Sequence, residues 1–222
     1  MYDFSKQARM LALAIDALKS IGIYEDASLG GGTALSAYYW EHRYSTDIDL
    51  FIDNSNTLND IRTYFASLHV KYDIRFPGHY VEVHLSPSEK IQFFETSPRT
   101  KSPRICTNLW GFENVYIESV EEILTKKIRF RGDKGNTRDI FDIALGVAKN
   151  PLFIQEAFEY GAFSKEHINA LIKTLEAIVI SQDLMQIYEM EIDFIDPAPQ
   201  YKELALNAPK FLLEKLLQAF RA

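Results

Sequence analysis

LGGGTALSAYYWEHRYSTDIDLFID, residues 29–53, holds the decisive fold signal and the candidate chemistry of this chain in one continuous stretch. Ala27 to Leu29 is a short apolar approach, Gly30, Gly31 and Gly32 follow, and Thr33, Ala34 and Leu35 open a helical pattern running to about His42. This succession reads as strand, glycine turn, helix. Glycines accept positive φ and let backbone N–H groups come close to a ligand. Thr33 is placed to cap the helix, whose positive dipole end then faces an anion. Any tight strand-to-helix turn uses glycine, so the triplet alone does not specify a ligand.

The second half of the stretch adds charge. Asp47, Ile48, Asp49, Leu50, Phe51 and Ile52 alternate and then run apolar, as a buried strand does, and this puts Asp47 and Asp49 on the same face. Two carboxylates side by side repel. Either each is solvated at a strand end or a cation is shared, and hard oxygen donors so arranged suit Mg²⁺, or Mn²⁺, bridging to substrate phosphates. Directly after a glycine-rich anion turn, the metal reading takes precedence.

The runs GGTAL and HRYSTDIDLF resemble the nucleotidyltransferase-fold toxins of the AbiEii/AbiGii type. Their signature is a Gly-Gly or Gly-Ser turn, an Arg-x-Ser before the acidic pair, and a later Lys and Arg-Asp element. Arg43, Ser45, Asp47 and Asp49 match as they stand, and the resemblance spans about Leu29 to Ala148. In that fold a third carboxylate usually comes from the later strand of a hairpin. The equivalent position here is Gln92, in KIQFF, which is neutral and a poor Mg²⁺ ligand. Glu82 on the partner strand and Glu95 nearby are the substitutes to weigh, Glu95 having the opposite strand parity to Gln92. Both are expected to be exposed strand residues.

Further along, Ser119-Val120-Glu121-Glu122 reads as a capping box opening a helix of about three turns. Val120, Ile123, Leu124 and Ile128 form its apolar stripe, with Lys127 and Arg131 close to the centre and Lys126 and Arg129 projecting elsewhere. Two cations on a core-facing stripe need anions, whether a structural ion pair or a ligand. Asn136 or Thr137 can cap the next helix, on which Asp139, Asp142 and Gly146 share an edge. Lys127 followed by Arg138-Asp139-x-x-Asp142 matches the later element of the toxin family. The resemblance implies that Lys127 is a triphosphate ligand and that Asp139 orients it or stands behind it.

Composition sets the bounds. The chain of 222 residues is 47% hydrophobic and 25% charged, values of an ordinary globular protein. No apolar run approaches the roughly 18 residues of a membrane span. The opening MYDFSKQARM lacks the basic and apolar regions of a signal peptide, so a cytoplasmic location is expected. Cys106 is the single cysteine, which excludes an internal disulfide and a thiolate cluster, and it is expected to be a small buried hydrophobe. A net charge of −7 argues against indiscriminate coating of nucleic acid. Lys126, Lys127, Arg129, Arg131, Lys134 and Arg138 nevertheless stand against Asp133 alone, a local basic patch that suits a polyphosphate or a nucleic-acid end.

The remaining pattern is scaffold. Phe4 to Ile21 and Leu58 to Leu68 have helical spacing, residues 53–56 form a turn, and Tyr72–Phe76, Tyr80–Leu85 and Lys90–Phe94 read as three strands. Pro98 to Pro103 is a basic loop and Val115–Ile117 one further short strand; beyond Lys149 the chain is helical.

The expectation is an α+β protein. A nucleotidyltransferase-type mixed β-sheet flanked by helices occupies residues 1–118, and a helical C-terminal region, 119–222, completes the cleft. The resemblance implies metal-dependent transfer of a nucleoside monophosphate from an NTP to an acceptor such as an RNA or tRNA 3′ end, in a toxin-antitoxin or phage-defence setting with a cognate antitoxin. Asp47, Asp49, Lys127 and Asp139 would carry catalysis. Gly31, Gly32, Thr33, Arg43, Ser45, Lys127 and Arg131 would hold the nucleotide. The alternatives are an antibiotic-type enzyme acting on a small hydroxylic molecule, and a catalytically weak or silent nucleotide-binding or protein-interaction module, which Gln92 favours.

Overall fold

The alternation around the acidic pair sets one face of a sheet against helices and leaves the other mixed, with Asp49 beside a row of aromatics, Phe51, Phe94 and Tyr80. In the computed structural model, which describes residues 2–54 and 56–220, Ile48, Leu50 and Ile52 of strand β2 (Ile48–Ile52) are buried, while Asp49 and Phe51 between them are half-buried. Ser55, in the turn expected over residues 53–56, lies outside the described residues.

By its contacts the chain divides into two compact units. The first comprises the residues up to Glu41, Ser45–Pro98 and Ser102–Ser119. It holds β1 (Ala27–Gly30), β2, β3 (Asp73–Arg75), β4 (Tyr80–Ser86), β5 (Glu89–Glu95), β6 (Arg104–Leu109) and β7 (Phe112–Glu118). Among the described residues these form one seven-stranded mixed sheet in the order β3-β4-β5-β2-β1-β7-β6. β2 runs antiparallel to β1 and parallel to β5, and β1 is parallel to β7. Helices α1 (Ser5–Ser20) and α3 (Leu58–Ser67) pack on the apolar face, where Met10, Leu18, Ile61 and Phe65 meet Ile91, Phe93, Val81 and Val83 in the core.

The β6–β7 hairpin departs from the sequence reading, which recognised only Val115–Ile117. Trp110 and Gly111 both take positive φ, 52° and 86°, the two-residue connection whose twist suits a hairpin. A tryptophan in the first of those positions lacks the Asn-Gly or Asp-Gly signature that announces such a turn. On β6, an edge strand, Cys106 is exposed rather than buried.

Helix α2 (Gly31–Ala34) continues in a wider winding over Leu35–Trp40, closed by a bond from the Glu41 amide to the Ser36 carbonyl. Glu41 then adopts φ 48°, so the helical stretch ends two residues before His42.

The second unit is helical and comprises His42–Tyr44, Arg99–Lys101 and the chain from Val120 onward. Its helices are α4 (Val120–Arg131), α5 (Thr137–Lys149), α6 (Phe153–Glu159), α7 (Lys165–Ile180), α8 (Gln182–Phe194) and α9 (Lys202–Phe220). α5 is central, packing against α4, α8 and α9, and every residue from Asp139 to Val147 is buried. Asn136 caps it by accepting from the Arg138 amide. Glu122, fully buried on α4, accepts from the amides of Arg99 and Thr100 and from the Thr100 hydroxyl, and so ties the 99–101 segment to this unit.

Candidate active site

In the first unit the glycine turn and the acidic strand meet at one point. Gly30 is the register partner of Asp49, and Gly31, at φ +64°, lies directly beneath its carboxylate. A Cβ at Gly31 would stand 2.0 Å from Asp49 Oδ2, so the position needs glycine both for its backbone angle and for the space the carboxylate takes.

Thr33 does not cap the helix: the cap position is Gly30, without a side-chain bond. Thr33 is buried, with Oγ1 2.5 Å from the Asp47 carbonyl oxygen and 2.9 Å from Ser45 Oγ. A carbonyl can only accept, so the Thr33 proton goes there and the Ser45 hydroxyl donates to Thr33. Gln7 donates to the Ser45 carbonyl at 2.6 Å. Thr33 and Ser45 thereby pin the chain just before the acidic pair. Of the expected nucleotide ligands in this unit, Gly31 and Gly32 open helix α2, Gly32 buried, whereas the two hydroxyls are occupied in holding Asp47.

The polar face continues across the sheet. The register places Arg75, Glu82, Gln92 and Asp49 side by side on four neighbouring strands. Gln92 Nε2 donates to Glu82 Oε2 at 2.7 Å, and Glu82 also meets His84, Lys90 at 3.7 Å and Arg75 at 3.8 Å. Lys90 reaches Asp47 Oδ2 at 3.6 Å. Glu82 is therefore buried, not the exposed strand residue expected, and it is surrounded by cations and donors. Glu95 is not a free surface acid either; its Oε1 accepts from the amides of Thr57 and Leu58, capping α3. Cross-strand register makes these partners, and spacing along the sequence does not reveal it. Among the described residues no three His, Cys, Asp or Glu side chains gather as a metal cage. Asp47 and Asp49 are thus two oxygen donors, the number by which Mg²⁺ is commonly held when substrate phosphates and water supply the rest.

In the second unit Lys127, Arg131, Asp139 and Arg43 are brought together, and Asp142 and His42 hold them. Lys127 Nζ is hydrogen-bonded to Asp139 and lies 3.1 Å from Asp142 Oδ2. Arg131 Nε is 3.0 Å from the other oxygen of Asp139 and keeps its side chain 48% exposed. Arg43 grips Asp142 with a two-pronged fork, Nε and Nη2 each at 2.7 Å, and His42 Nε2 donates to the same carboxylate at 2.7 Å. Arg43, expected to hold nucleotide alongside Ser45, is buried against a residue 99 positions away.

Burial pushes the Asp142 carboxyl up, but the charges of Arg43 and Lys127 and the bonds from Arg43 and His42 outweigh it and hold Asp142 well below the usual carboxylate range. Burial lowers His42 against the pull of Asp142, so His42 is neutral and its Nε2 carries the proton. The basic patch read from the sequence is partly dissolved by this packing. Lys126 pairs with Glu122 at 3.3 Å and Lys127 with the two aspartates, both buried, while Arg131 and Lys134 stay exposed.

Comparison with known proteins bears on both units. The sequence profile of the family described as nucleotidyl transferase AbiEii toxin, Type IV TA system, matches residues 22–214. Among solved structures, JHP933 from Helicobacter pylori is similar at 17% identity and a TM-score of 0.50, with 95% of this chain and 94% of that one covered. MenT4, a nucleotidyltransferase toxin from Mycobacterium tuberculosis, is similar at 14% identity and a TM-score of 0.49, covering 93% of this chain and 82% of that one. No curated protein matches. In the described helices, none is long and apolar enough to cross a membrane.

Proposed function

Because the chain belongs to the AbiEii family of nucleotidyl transferase toxins, and is therefore a transferase, we propose that it moves a nucleoside monophosphate from an NTP to the 3′ end of an RNA, such as a tRNA, with release of pyrophosphate. The observation that carries this reading is the seating of the Asp49 carboxylate on Gly31, which brings an acidic side chain and the glycine turn at a helix N-terminus to a single point. Asp47 and Asp49 would hold Mg²⁺ or Mn²⁺. When bound, such an ion neutralises charge on the phosphates and on the leaving pyrophosphate. Amides at Gly31 and Gly32 bind phosphate oxygens without reorganising, since the strand-to-helix turn already fixes them. Thr33 and Ser45 act indirectly by fixing Asp47. In the helical unit Lys127 is the cation for phosphate oxygens, Asp139 orients it, and Arg131 is the more accessible second charge. Catalysis of this kind rests on position and charge more than on proton abstraction, which is why a neutral Gln92 is compatible with turnover.

The hydrogen bond from Gln92 to Glu82 favours a second reading, a nucleotide-binding module without turnover, because it occupies the side chain where the related fold usually has a base. An antibiotic-type enzyme acting on a small hydroxylic acceptor uses the same residues. Labelled NTPs incubated with total RNA, for the parent and Asp49→Asn, separate these outcomes. Label in RNA that Asp49→Asn abolishes supports the proposal. Metal-dependent NTP binding by calorimetry without product supports the silent module, and unchanged labelling by Asp49→Asn removes Asp49 from the site. A cognate antitoxin is proposed as the protein partner on the strength of the family alone.

A further inference from the structure

Helix α8 presents an apolar face to solvent. Ile180, at the end of α7, is 84% exposed, and along α8 Leu184 is 42%, Ile187 52%, Met190 67% and Phe194 89% exposed. The spacing of 184, 187, 190 and 194 puts the α8 residues on one side of the helix, while Tyr188 and Ile192, at 2% and 1%, form its buried side. Single exposed apolar side chains are ordinary, but four on one side of a single helix, with Ile180 close by in sequence, make a patch of the kind that receives a partner.

Charge decides which partner. Between Ser181 and Asp196 lie Asp183, Glu189, Glu191, Asp193 and Asp196, and no Lys, Arg or His. A second copy would bring identical carboxylates against these, and nucleic acid or an anionic bilayer would be repelled. An apolar stripe on a helix whose own charged side chains are all carboxylates complements a helix with an apolar stripe edged by Lys or Arg. We propose that α8 docks a cationic amphipathic helix of a partner protein, a surface separate from the nucleotide chemistry.

The test uses the full chain and a synthetic helical peptide with Leu at heptad core positions and Lys elsewhere, beside the same peptide with Glu for Lys, read by fluorescence anisotropy at low and high salt. The Lys peptide should bind, more weakly as salt rises, and the Glu peptide should bind at least about tenfold less tightly. Ile187→Ser/Phe194→Ser should weaken the Lys peptide by about tenfold or more. Glu189→Lys/Asp193→Lys should reverse the preference between peptides. All four positions are exposed, and circular dichroism checks that each variant keeps its helices. The proposal is overturned if the Lys peptide does not bind, if Ile187→Ser/Phe194→Ser leaves its binding unchanged, or if both peptides bind equally. It is equally overturned if sedimentation shows a dimer that Ile187→Ser/Phe194→Ser converts to monomer, since the occupant is then a second copy.

Discussion

Replacing Gly31 with alanine tests the geometry on which the catalytic reading stands. At φ +64° an alanine is strained, by roughly 1–2 kcal/mol. Its Cβ would also stand 2.0 Å from Asp49 Oδ2 and 2.9 Å from Cγ, and since real Cβ atoms essentially never come within 3.0 Å, the carboxylate must retreat by at least 1 Å. That retreat is the swing of a side-chain end, so it adds little to the cost in stability, but a misplacement of about 1 Å at a reacting centre costs on the order of 10²-fold in rate. Gly22 supplies the control, with φ +75° and nothing within 4 Å of a built Cβ. Gly22→Ala and Gly31→Ala should therefore lower Tm alike, by about 2–8 °C for a chain of this size, while only Gly31→Ala loses transfer of label from NTP. Adding Gly31→Ala to Asp49→Ala should cause little further loss, because the carboxylate that Gly31→Ala displaces is already gone. Equal transfer by the two glycine variants would refute the reasoning, since backbone strain would then be the whole effect.

Lys127→Ala should cost more than Arg131→Ala, because Lys127 is buried against both Asp139 and Asp142 while Arg131 is about half exposed and should cost under about 1 kcal/mol. Arg43 and His42 still hold Asp142, and Arg131 still meets Asp139, so the loss stays below that of a stranded charge, and urea denaturation compares the two. Gln92→Glu should destabilise by about 1–3 kcal/mol because it puts a second carboxylate against Glu82. Its effect on transfer should be modest, and a gain of about 10²-fold would favour the silent module. His42 has a folded pKa below its unfolded value, so the unfolded chain binds the extra proton and stability rises with pH between the two. Thermal melts from pH 5 to 7.5 should show this slope, at most about 1.4 kcal/mol per pH unit, with its upper end near pH 6.5, and His42→Gln should flatten it.

Local pattern by itself determined a great deal here. Period-2 alternation read the strand that buries Ile48, Leu50 and Ile52, the glycine triplet marked the turn before a helix, and helical spacing drew α1, α3 and α4 to within a few residues of their ends. These are properties of neighbouring residues, which backbone sterics and one buried face suffice to specify. Only the tertiary structure decided what the polar side chains do. Glu82 became a buried acid through cross-strand register, Thr33 turned from a helix cap into a brace for Asp47, and Arg43 found its partner in Asp142, 99 residues away. A charge taken out of water must find a partner wherever the fold supplies one, and sequence distance does not record that search.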